Sequence, residues 1–570
     1  MVALKRGLHP QARIDRYRER GWWSDRTLDR VFADQAAARG DALAIADPAN
    51  RAALLGSTPR RLTWNEVDDE VTFLAARLLE YGVTRGDVIG VQLPNTIELA
   101  EVYLAAWMIG AVVSPLAMQY RERELTAMAN KAEFVLFITT GTFGGRRPAA
   151  SADAIRDELP QLRAVLTFGD AADAGGGDGH ITPGSARPGD CETLAAYRRA
   201  DPNDPNDCVT ICWTSGTTGE PKGVPRTHYD WLAFTVSTIG APHVVADDVL
   251  LNPFPMINMA GICGMFLPWI CTGATLIQHH PFDAVTFFGQ IAAEKVTYTL
   301  APPALLWKLL NDESLLDAVD ISTLTRVGSG SAPLQPAMVR GWQEKHGLNV
   351  INFFGSNEGV SLLSDPVDFP DPDTRARFFP RYGTPGVSWE SAIADRTVVK
   401  IVDVETGAEI TEPGRPGELL IGGPGVFPGY LDGANLACPF DADGLLKTGD
   451  MFEIDGEQNQ YLRYVDRCKD LIIRGGMNVA PAELEGLIAE HPAVAECAVV
   501  GDPDDSLGET VAAVVVLNAG QRLTLGDLTD FLRSQRIASY KLPERLEIRE
   551  SLPRNAVGKL MKRELRRLAG

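Results

Sequence analysis

The stretch Ile211–Gly223, ICWTSGTTGEPKG, decides how the rest of this chain is interpreted. It starts with apolar residues, continues with hydroxyl residues and glycines, and ends in Pro-Lys-Gly. Glycines let a backbone approach a ligand with its N–H groups turned inward, while hydroxyls and a lysine add donors and one positive charge. This combination predicts a loop that holds a polyphosphate. The expected contributors are Thr214, Ser215, Gly216, Thr217, Thr218, Gly219 and Lys222.

The loop differs from the phosphate loop of nucleotide triphosphatases. That motif, G-x-x-x-x-G-K-[ST], needs a glycine directly before the lysine and a hydroxyl residue directly after it. Here Pro221 precedes Lys222 and Gly223 follows it. The triphosphatase interpretation is therefore excluded. A flexible surface loop without a ligand is the alternative that this stretch alone leaves open.

Length and composition set the class of protein. The chain has 570 residues, more than one ordinary core holds, so two or more domains are expected. A net charge of −21 argues against a general nucleic-acid or anionic-membrane binder, because no basic excess is present to neutralise phosphates. The charged N-terminus lacks the apolar core of a signal peptide. We expect a soluble cytoplasmic protein.

Two further features concern compartment. The uncharged run from Val249 to His280 is long enough for a membrane span, but prolines and asparagines interrupt it. It is better interpreted as a buried strand, loop and helix, so no integral span is expected. The eight cysteines show no CxxC pair or metal-ligand spacing, which predicts reduced, mostly buried thiols.

Strand and helix patterns alternate along most of the chain and predict an α/β fold with mainly parallel sheets covered by helices. Short strands with Gly/Pro turns between Gly383 and Asp466 predict a small β subdomain. The last hundred or so residues read as a compact α+β unit. The predicted domains are residues 1–466, a hinge at 467–471 and a mobile C-terminal domain at 472–570.

Three more stretches combine charge with turn residues. Phe354–Gly359 (FGSNEG) follows a predicted strand, at the sheet edge where open α/β folds bind ligands. Lys447–Asp450 (KTGD) offers a carboxylate that can accept two ribose hydroxyls. Arg463–Asn478 (RYVDRCKDLIIRGGMN) brings charges and two glycines to the predicted domain boundary.

Together these stretches resemble the AMP-forming acyl-CoA synthetases of the adenylate-forming superfamily, which also holds carrier-loading adenylation domains and luciferase-like enzymes. The resemblance covers nearly the whole chain. WTSGTTGEPKG is similar to the family phosphate loop, FGSNEG to its aromatic-Gly-x-Thr-Glu motif and KTGD to its Thr-Gly-Asp. DRCKDLIIRGGMNVAPAELE resembles its hinge, and LPRNAVGKLMKREL its C-terminal lysine motif.

The resemblance implies a reaction in which a carboxylate attacks the α-phosphate of ATP, releasing pyrophosphate and leaving an acyl-AMP. Lys559 would bridge carboxylate and α-phosphate, and Thr214 and Glu358 would hold Mg²⁺. Lys222 and Asn357 would act beside them. The expected remaining nucleotide contacts are Phe354 on adenine with Gly355 and Ser356, Ser331, Ala332 and Pro333 along its edge, and Asp450 and Arg467 on the ribose.

In the second half-reaction that the resemblance implies, the thiol of coenzyme A attacks the acyl-AMP. The C-terminal domain would swing about a hinge at Lys469, so that Lys559 leaves the site. Gly475 and Gly476 would then line a narrow tunnel for the thiol arm.

Each role has an ordinary structural alternative. Taken alone, Lys559 could be a solvated lysine, Glu358 a helix-cap partner, Asp450 a turn residue and Phe354 a core aromatic. His228 follows Thr227 at a predicted helix start, so capping or packing competes with substrate contact.

The chain also departs from the family pattern. Asn357 replaces the usual threonine, Phe354 lacks the hydroxyl that a tyrosine would offer, and Asn258 stands where many members carry histidine.

The expected acid is an apolar monocarboxylate, medium-chain, alicyclic or aromatic. The predicted acyl segments, Tyr229–Phe234, Met256–Gly264, Gly328–Gly330 and Asn352–Gly355, contain no basic residue that could pair a second carboxylate. Two alternatives remain: a stand-alone enzyme that loads a phosphopantetheinyl carrier protein, and an inactive nucleotide-binding protein on the same fold. The sequence leaves the oligomeric state open, and a homodimer is compatible with it.

Overall fold

The computed structural model describes most of the chain. The residues outside the described part are 1–3, 5–6, 170–176, 216–220, 313–315, 317–318, 432–437, 476, 505, 536, 556–559 and 568–570. Six of the predicted site residues fall there: Gly216, Thr217, Thr218, Gly219, Gly476 and Lys559.

The strands of the described residues are, in chain order, β1 Leu43–Ala46, β2 Arg61–Thr63, β3 Val88–Gln92, β4 Val112–Pro115, β5 Phe134–Thr140, β6 Ala164–Phe168, β7 Gly179–Ile181, β8 Cys208–Ser215, β9 Pro221–Thr227, β10 Val249–Asn252, β11 Thr275–Gln278, β12 Tyr298–Leu300, β13 Arg326–Gly330, β14 Asn349–Gly355, β15 Ser361–Ser364, β16 Phe378–Pro380, β17 Val398–Val402, β18 Gly417–Gly422, β19 Leu446–Asp455, β20 Tyr461–Arg467, β21 Ile472–Arg474, β22 Met477–Val479, β23 Val494–Asp504, β24 Gly508–Leu517 and β25 Arg545–Arg549.

The α-helices are α1 Gln11–Glu19, α2 Leu28–Arg39, α3 Arg51–Leu55, α4 Trp64–Glu80, α5 Ile97–Met108, α6 Glu122–Ala132, α7 Pro148–Ala154, α8 Asp190–Ala200, α9 His228–Gly240, α10 Met259–Gly261, α11 Leu267–Thr272, α12 Ala284–Glu294, α13 Pro303–Asn311, α14 Pro336–His346, α15 Pro372–Arg377, α16 Pro481–Ala489, α17 Leu525–Ser534 and α18 Lys562–Arg567. A π-helical segment, Ile262–Phe266, joins α10 to α11, and short 3₁₀ turns lie at Arg156–Glu158 and Ser539–Lys541.

Two large sheets form the first part of the molecule. The seven-stranded sheet has the order β7-β6-β5-β3-β4-β8-β9 and the eight-stranded sheet the order β15-β14-β13-β12-β10-β11-β1-β2. Neighbouring strands are parallel except at the β8–β9 edge of the first sheet and at both edges of the second, β1–β2 and β14–β15. Parallel strands must be joined by crossovers, and the intervening helices supply them.

The central helix α5 lies in the core between the two sheets and is mostly apolar, with Glu98 and Glu101 as its two charged residues. Every residue of α5 is buried, and its Tyr103 and Trp107 pack against Phe266. Helix starts follow local capping chemistry: Thr63 and Glu66 form a reciprocal capping box at α4, and Thr227 and Asp230 form another at α9.

Two smaller sheets follow. Strands β16–β20 make a five-stranded antiparallel sheet in the order β16-β20-β19-β18-β17, which is the predicted β subdomain. Strands β21–β25 make the last sheet, with α16 and α17 packed on it. The third sheet ends at Arg467 and the fourth begins at Ile472. The predicted α/β architecture with an α+β C-terminal unit is confirmed.

The uncharged run after Val249 forms a buried strand, a loop and helical segments, as expected, and then a further strand, β11, that the sequence pattern does not predict. The sequence pattern does not anticipate α1 or the strand β9. None of the helices that the structure describes has the length and hydropathy needed to cross a membrane.

All eight cysteines are described and none is in a disulfide, as predicted. Cys208, Cys212 and Cys263 are buried, whereas Cys191 and Cys438 are exposed, so burial of the thiols is less complete than expected.

Candidate active site

The two ends of the predicted phosphate loop lie side by side in a hairpin. Strands β8 and β9 pair antiparallel, with Thr214 opposite Lys222 and Ser215 opposite Pro221. The tip of this hairpin, residues 216–220, is outside the described part of the chain. The strand pairing on either side of these residues fixes the positions of Thr214 and Lys222 relative to each other.

Tyr430 connects Lys222 to Glu358, and the sequence analysis does not single it out. Its hydroxyl donates a hydrogen bond to Oε1 of Glu358 at 3.0 Å. Nζ of Lys222 lies 4.9 Å from the centroid of the same ring, within cation–π range. Burial and the neighbouring Glu358 carboxylate raise the pKa of Tyr430, so the phenol keeps its proton and donates. A lysine, a phenol and a carboxylate thus meet beside the hairpin.

Main-chain hydrogen bonds fix this meeting point. The N–H of Phe427 donates to the carbonyl of Glu358 at 2.9 Å, and the N–H of Leu431 donates to the carbonyl of Gly223 at 2.9 Å. One segment, 427–431, therefore bridges the end of the phosphate loop and the acidic motif. The relative position of the two motifs depends on the backbone of this segment.

The ring of Phe354 lies at the carboxyl end of β14 and packs on the β subdomain. Its centroid is 5.0 Å from that of Phe452, 5.7 Å from that of Tyr464 and 5.9 Å from that of Phe379. The side chain is partly exposed rather than enclosed. Packing and ligand stacking are therefore compatible roles, since one part of the ring remains accessible.

Asp450 and Arg467 lie opposite each other on β19 and β20. Nε of Arg467 is 3.4 Å from Oδ1 of Asp450, whose side chain is largely buried. Phe452 follows Asp450 by two residues on the same strand, so the pair and the Phe354 ring share one wall. The structure therefore brings the predicted ribose and adenine residues together.

Ser331, Ala332 and Pro333 are exposed at the carboxyl end of β13, beside β14. Ser331 has a φ of 69°, a left-handed conformation that is uncommon outside glycine and recurs at ligand sites. The preceding Gly330 lies against Phe353, where an added Cβ would be 2.2 Å from the carbonyl oxygen. Only glycine permits this approach, which places Ser331 close to the end of β14.

Asn357 links the nucleotide motif to the predicted acyl segment. Its Oδ1 accepts a hydrogen bond from the N–H of Met259 at 2.8 Å. The amide is buried, and with its oxygen occupied, its Nδ2 is the group left to donate. This geometry accounts for an asparagine at the position where the family usually has threonine.

The departure at Asn258 also has a structural reason. Its side chain caps α10 by accepting from the N–H groups of Ala260 and Gly261. Gly261 lies directly against Pro255, since an added Cβ would be 2.3 Å from the Pro255 carbonyl oxygen. Asn258 therefore shapes the turn that leads into the π-helical segment.

The predicted acyl segments combine buried apolar side chains with one buried cation that lies against them. Met256, Ile257 and Ile262 are buried. Arg226, on β9 and outside those segments, is fully buried and places its guanidinium carbon 4.8 Å from the Trp231 ring. The sequence pattern gives no signal for this residue.

His228 is a packing residue. It is fully buried, and its Nδ1 accepts a hydrogen bond from the N–H of Leu28 at 2.9 Å. Burial lowers its pKa to about 4. The bond ties the start of α9 to the N-terminal helices, so of the two roles considered, packing is the one observed.

The C-terminal candidates are partly described. Lys469 is exposed just after β20, and Gly475 turns between β21 and β22 with a φ of 56°. Lys559 is outside the described residues, but Arg554 and Leu560 on either side of that stretch pair as an isolated bridge. Across the predicted boundary, the Asp466 carboxylate accepts from the N–H of Ala482 at 2.8 Å.

Comparison with known proteins identifies the family of this chain. Residues 32–431 match the model of the AMP-binding enzyme family, and residues 483–559 match that of the AMP-binding enzyme C-terminal domain. The chain is 34% identical over 513 residues to the 3-[(3aS,4S,7aS)-7a-methyl-1,5-dioxo-octahydro-1H-inden-4-yl]propanoyl:CoA ligase of Mycobacterium tuberculosis (strain ATCC 25618 / H37Rv), covering 89% of this chain and 94% of that protein.

Two further similarities span nearly the whole chain. It is 29% identical over 557 residues to the medium-chain fatty-acid–CoA ligase of Escherichia coli (strain K12), covering 97% of this chain and 92% of that one. The crystal structure of the anthranilate CoA ligase AuaEII with anthranoyl-AMP superposes with a TM-score of 0.77 at 22% identity, over 96% of this chain and 97% of that one. At that identity, the superposition establishes the fold.

The fold and the site define an adenylate-forming enzyme. The chain belongs to the AMP-binding enzyme family, as the two matched family models show. It is an AMP-forming acid–thiol ligase, and enzymes of this family use ATP and coenzyme A. The resemblance drawn from the motifs is thereby confirmed.

Proposed function

We propose that this protein joins an apolar monocarboxylic acid to coenzyme A in two steps. A carboxylate oxygen first attacks the α-phosphorus of ATP, the bond from that phosphorus to the β-bridging oxygen breaks, and pyrophosphate leaves. The CoA sulfur then attacks the acyl carbon of the acyl-AMP, AMP leaves, and the thiol proton is released. The carrying observation is the meeting of Lys222, Tyr430 and Glu358 beside the β8–β9 hairpin.

ATP would lie between the hairpin and the β subdomain. The loop from Thr214 to Lys222 would hold the β- and γ-phosphates, with the lysine charge near the leaving group. Both reactants are anions, so positioning and positive charge matter more than covalent catalysis. Asp450 and Arg467 would bind the ribose. The adenine would lie on Phe354, with Gly355 and Ser356 next to it and Ser331, Ala332 and Pro333 along its edge.

The site fits a magnesium ion held partly by substrate. Among the described residues, no group of three or more His, Cys, Asp or Glu side chains could hold a metal ion. Mg²⁺ often binds one or two protein oxygens together with substrate phosphates, so a site with two protein oxygens beside the phosphates would be sufficient. Glu358, oriented by Tyr430, and the hydroxyl of Thr214 would supply the protein oxygens. When bound, Mg²⁺ neutralises charge on the leaving pyrophosphate.

The expected acid is apolar and carries one carboxylate. The predicted acyl segments support this: Met256, Ile257 and Ile262 are buried apolar side chains, and Met259 beside them in the chain is an apolar side chain that is partly exposed. The two curated relatives described above act, by their names, on a bicyclic propanoate and a medium-chain fatty acid. We propose a medium-chain, alicyclic or aromatic acid.

The thiol step would use the C-terminal part. We propose that residues 1–466 bind ATP and the acid, that 467–471 form a hinge around Lys469, and that 472–570 move. Lys559 would bridge carboxylate and α-phosphate in the first step. In the second step, Gly475 and Gly476 would border the path of the thiol arm, since glycines leave room for it.

The decisive experiment measures pyrophosphate release and acyl-thioester formation with ATP, Mg²⁺ and a panel of monocarboxylates, with and without CoA. Lys559→Ala should abolish pyrophosphate release. Lys562→Ala is the matched control, because Lys562 lies three residues further along the chain, forms an ion pair with Glu485 at 2.8 Å and is not among the proposed site residues. We expect CoA-dependent thioester in the wild type and in the control.

Other outcomes have defined meanings. Pyrophosphate release without CoA-thioester, but with acylation of an added phosphopantetheinyl carrier protein, would replace CoA by a carrier as the acceptor. Release of neither product across a broad panel would refute the proposed function and leave the fold unaffected.

A further inference from the structure

Strand β14 has a fully buried arginine at each end, and the two are held very differently. Arg375, from α15, lies at the start of the strand. Its Nε donates to the Val350 carbonyl at 2.9 Å and its Nη1 to the Phe369 carbonyl at 2.8 Å, while its Nη2 bonds to Gln343. Each nitrogen of this guanidinium has an acceptor. Such a pattern is that of a structural arginine.

Arg226 lies beyond the other end of β14, and its hydrogen bonds are longer than those that Arg375 makes to the two carbonyls above. Its Nη1 donates to the Asn357 carbonyl at 3.2 Å and its Nη2 to the Asp230 carbonyl at 3.5 Å. Its Nε is buried and lacks a hydrogen-bond partner among the described residues. The rest of the guanidinium lies against aromatic rings, at 4.8 Å from the Trp231 centroid and 5.8 Å from that of Phe234.

Among the described residues, Arg226 forms no ion pair with a carboxylate, and both of its hydrogen bonds go to main-chain carbonyls. The Asp230 carboxylate is engaged by Nε2 of His9 at 2.8 Å and offers only its main-chain carbonyl to Arg226. Burial lowers the pKa of Arg226, and the negative charges of Asp230 and Glu358 partly offset this. A guanidinium keeps its proton in proteins, so a fixed positive charge remains behind Glu358.

For stability alone, this arrangement is costly. A buried charge with incomplete hydrogen bonding destabilises the fold, and an apolar side chain of similar volume is often neutral or better at such a position. Stability therefore does not account for Arg226 as it does for Arg375. Its contacts point instead to the motif that would bind the nucleotide.

We propose that Arg226 is a positioning residue for adenylation: its guanidinium holds the main chain of Asn357, Glu358 and Gly359 in the geometry that MgATP requires. The proposal rests on the proposed function of this site. Nη1 bonds to the Asn357 carbonyl, and Gly359 lies so close that an added Cβ would be 2.9 Å from the same nitrogen. Arg226 thus touches the residues on both sides of Glu358.

Two other hydrogen bonds also fix the position of Asn357, Glu358 and Gly359. Met259 holds the Asn357 side chain from the acyl segment, and Phe427 holds the Glu358 carbonyl. Arg226 is the member of this group that also brings a positive charge towards anionic ligands. Removal of the Arg226 side chain should therefore both displace the main chain around Glu358 and lower the positive electrostatic potential at the nucleotide site.

The test compares wild type, Arg226→Met, Arg226→Lys and Arg375→Met. For each protein, MgATP binding is measured by calorimetry, adenylation by pyrophosphate release, and folding by thermal unfolding. We expect Arg226→Met to lower kcat about 10²-fold with a small change in KM for the acid, because displacement of catalytic groups acts on the rate. MgATP binding should weaken about tenfold.

The conservative variant and the control separate positioning from structure. Arg226→Lys keeps the charge and should lose only about tenfold in kcat. Arg375→Met should lower the unfolding temperature yet keep kcat and MgATP binding within about twofold of wild type at a temperature where it is folded.

Three results would overturn the proposal. The first is normal kcat and MgATP binding in Arg226→Met. The second is a parallel loss in Arg375→Met at equal folded fraction. The third is failure of both Arg226 variants to fold, which would make Arg226 structural. If wild type binds MgATP but adenylates no acid, the proposed function fails, and MgATP binding alone decides the role of Arg226.

Discussion

The two ends of strand β14 show how the same side chain serves different purposes. At the start, Arg375 of α15 bonds to two main-chain carbonyls and to Gln343, and is fully buried. Beyond the end, Arg226 makes two long hydrogen bonds and leaves Nε without an acceptor among the described residues. Full satisfaction of the hydrogen-bonding groups at one end distinguishes a position that stabilises the fold from the incompletely satisfied one, for which we propose a positioning role.

Among the tests of this comparison, the largest effect is expected from a pair of asparagine substitutions, one just beyond the end of β14 and one within the strand beside Arg375. Asn357→Asp keeps the acceptor for Met259 but replaces the Nδ2 donor with negative charge, so pyrophosphate release should fall by about 10²- to 10³-fold. Asn352 donates to the carbonyls of Arg375 and Ala376 at 3.2 and 3.0 Å, so Asn352→Asp instead replaces a buried donor with a negative charge that these carbonyls repel. It should lower the denaturant midpoint. Equal loss of rate and stability in both variants would contradict the comparison.

The next effect is on stability. Arg375→Met leaves the carbonyls of Val350 and Phe369 without their buried donor, and we expect the free energy of unfolding to fall by about 3 kcal/mol. Arg226→Met should cost less, because its lost hydrogen bonds are longer. Denaturant titration of both variants checks this order. A larger loss of unfolding free energy in Arg226→Met than in Arg375→Met would show that Arg226 is the arginine that stabilises the fold, and would contradict the comparison.

A smaller effect is expected at Tyr430. Tyr430→Phe removes the hydrogen bond to Glu358 but keeps the ring beside Lys222. The carboxylate then loses one oriented partner, and pyrophosphate release should fall about tenfold without a change in thermal stability. Phe427→Leu, which keeps the main-chain bond to Glu358, is the control and should leave the rate within about threefold. A normal rate in Tyr430→Phe would show that Tyr430 only packs.

The smallest effect is on pH dependence, since neither guanidinium titrates near neutrality. Burial lowers the pKa of His228 and of His280 to about 4, below the ordinary value of 6.5. Between these values the unfolded chain binds protons that the folded protein excludes, so stability rises with pH from about 4 to 6.5. Each histidine should make unfolding about 0.7 kcal/mol easier at pH 6 than at pH 7.

The measurement is the denaturant midpoint at both pH values. His228→Asn can retain an acceptor for the N–H of Leu28 and should reduce the pH dependence. The activity ratio between Arg226→Met and Arg375→Met should be the same at pH 6 and pH 7. A pH-dependent ratio would mean that a titrating group, and not a fixed charge, causes the difference in activity between the two variants.

Several site residues were predictable because their motifs are local. Lys222, Glu358, Asp450 and Arg467 each lie in a short pattern whose turn and strand context the sequence already implies. In the structure, Lys222 and Glu358 both contact the side chain of Tyr430, and Asp450 lies opposite Arg467 on the neighbouring strand. Their chemical roles remain predictions until the variants are measured.

Arg226 and Tyr430 could not be predicted in this way. Arg226 lies 131 residues from its partner Asn357, and Tyr430 lies 72 residues from Glu358. The residues around them look like strand and turn sequence. Their importance arises from side chains that meet only after both sheets and the β subdomain have packed.

By itself, the sequence determined the alternation of strands and helices, the mostly apolar α5, the family and the order of its motifs. The strands and helices follow from periodicity, capping and turn chemistry, which act over a few residues, whereas the family follows from the resemblance of the motifs. Only the tertiary structure decided that β9 pairs with β8, that Asn357 faces Met259, and that a buried arginine stands behind Glu358. Such contacts join distant residues, and packing of the complete core selects them.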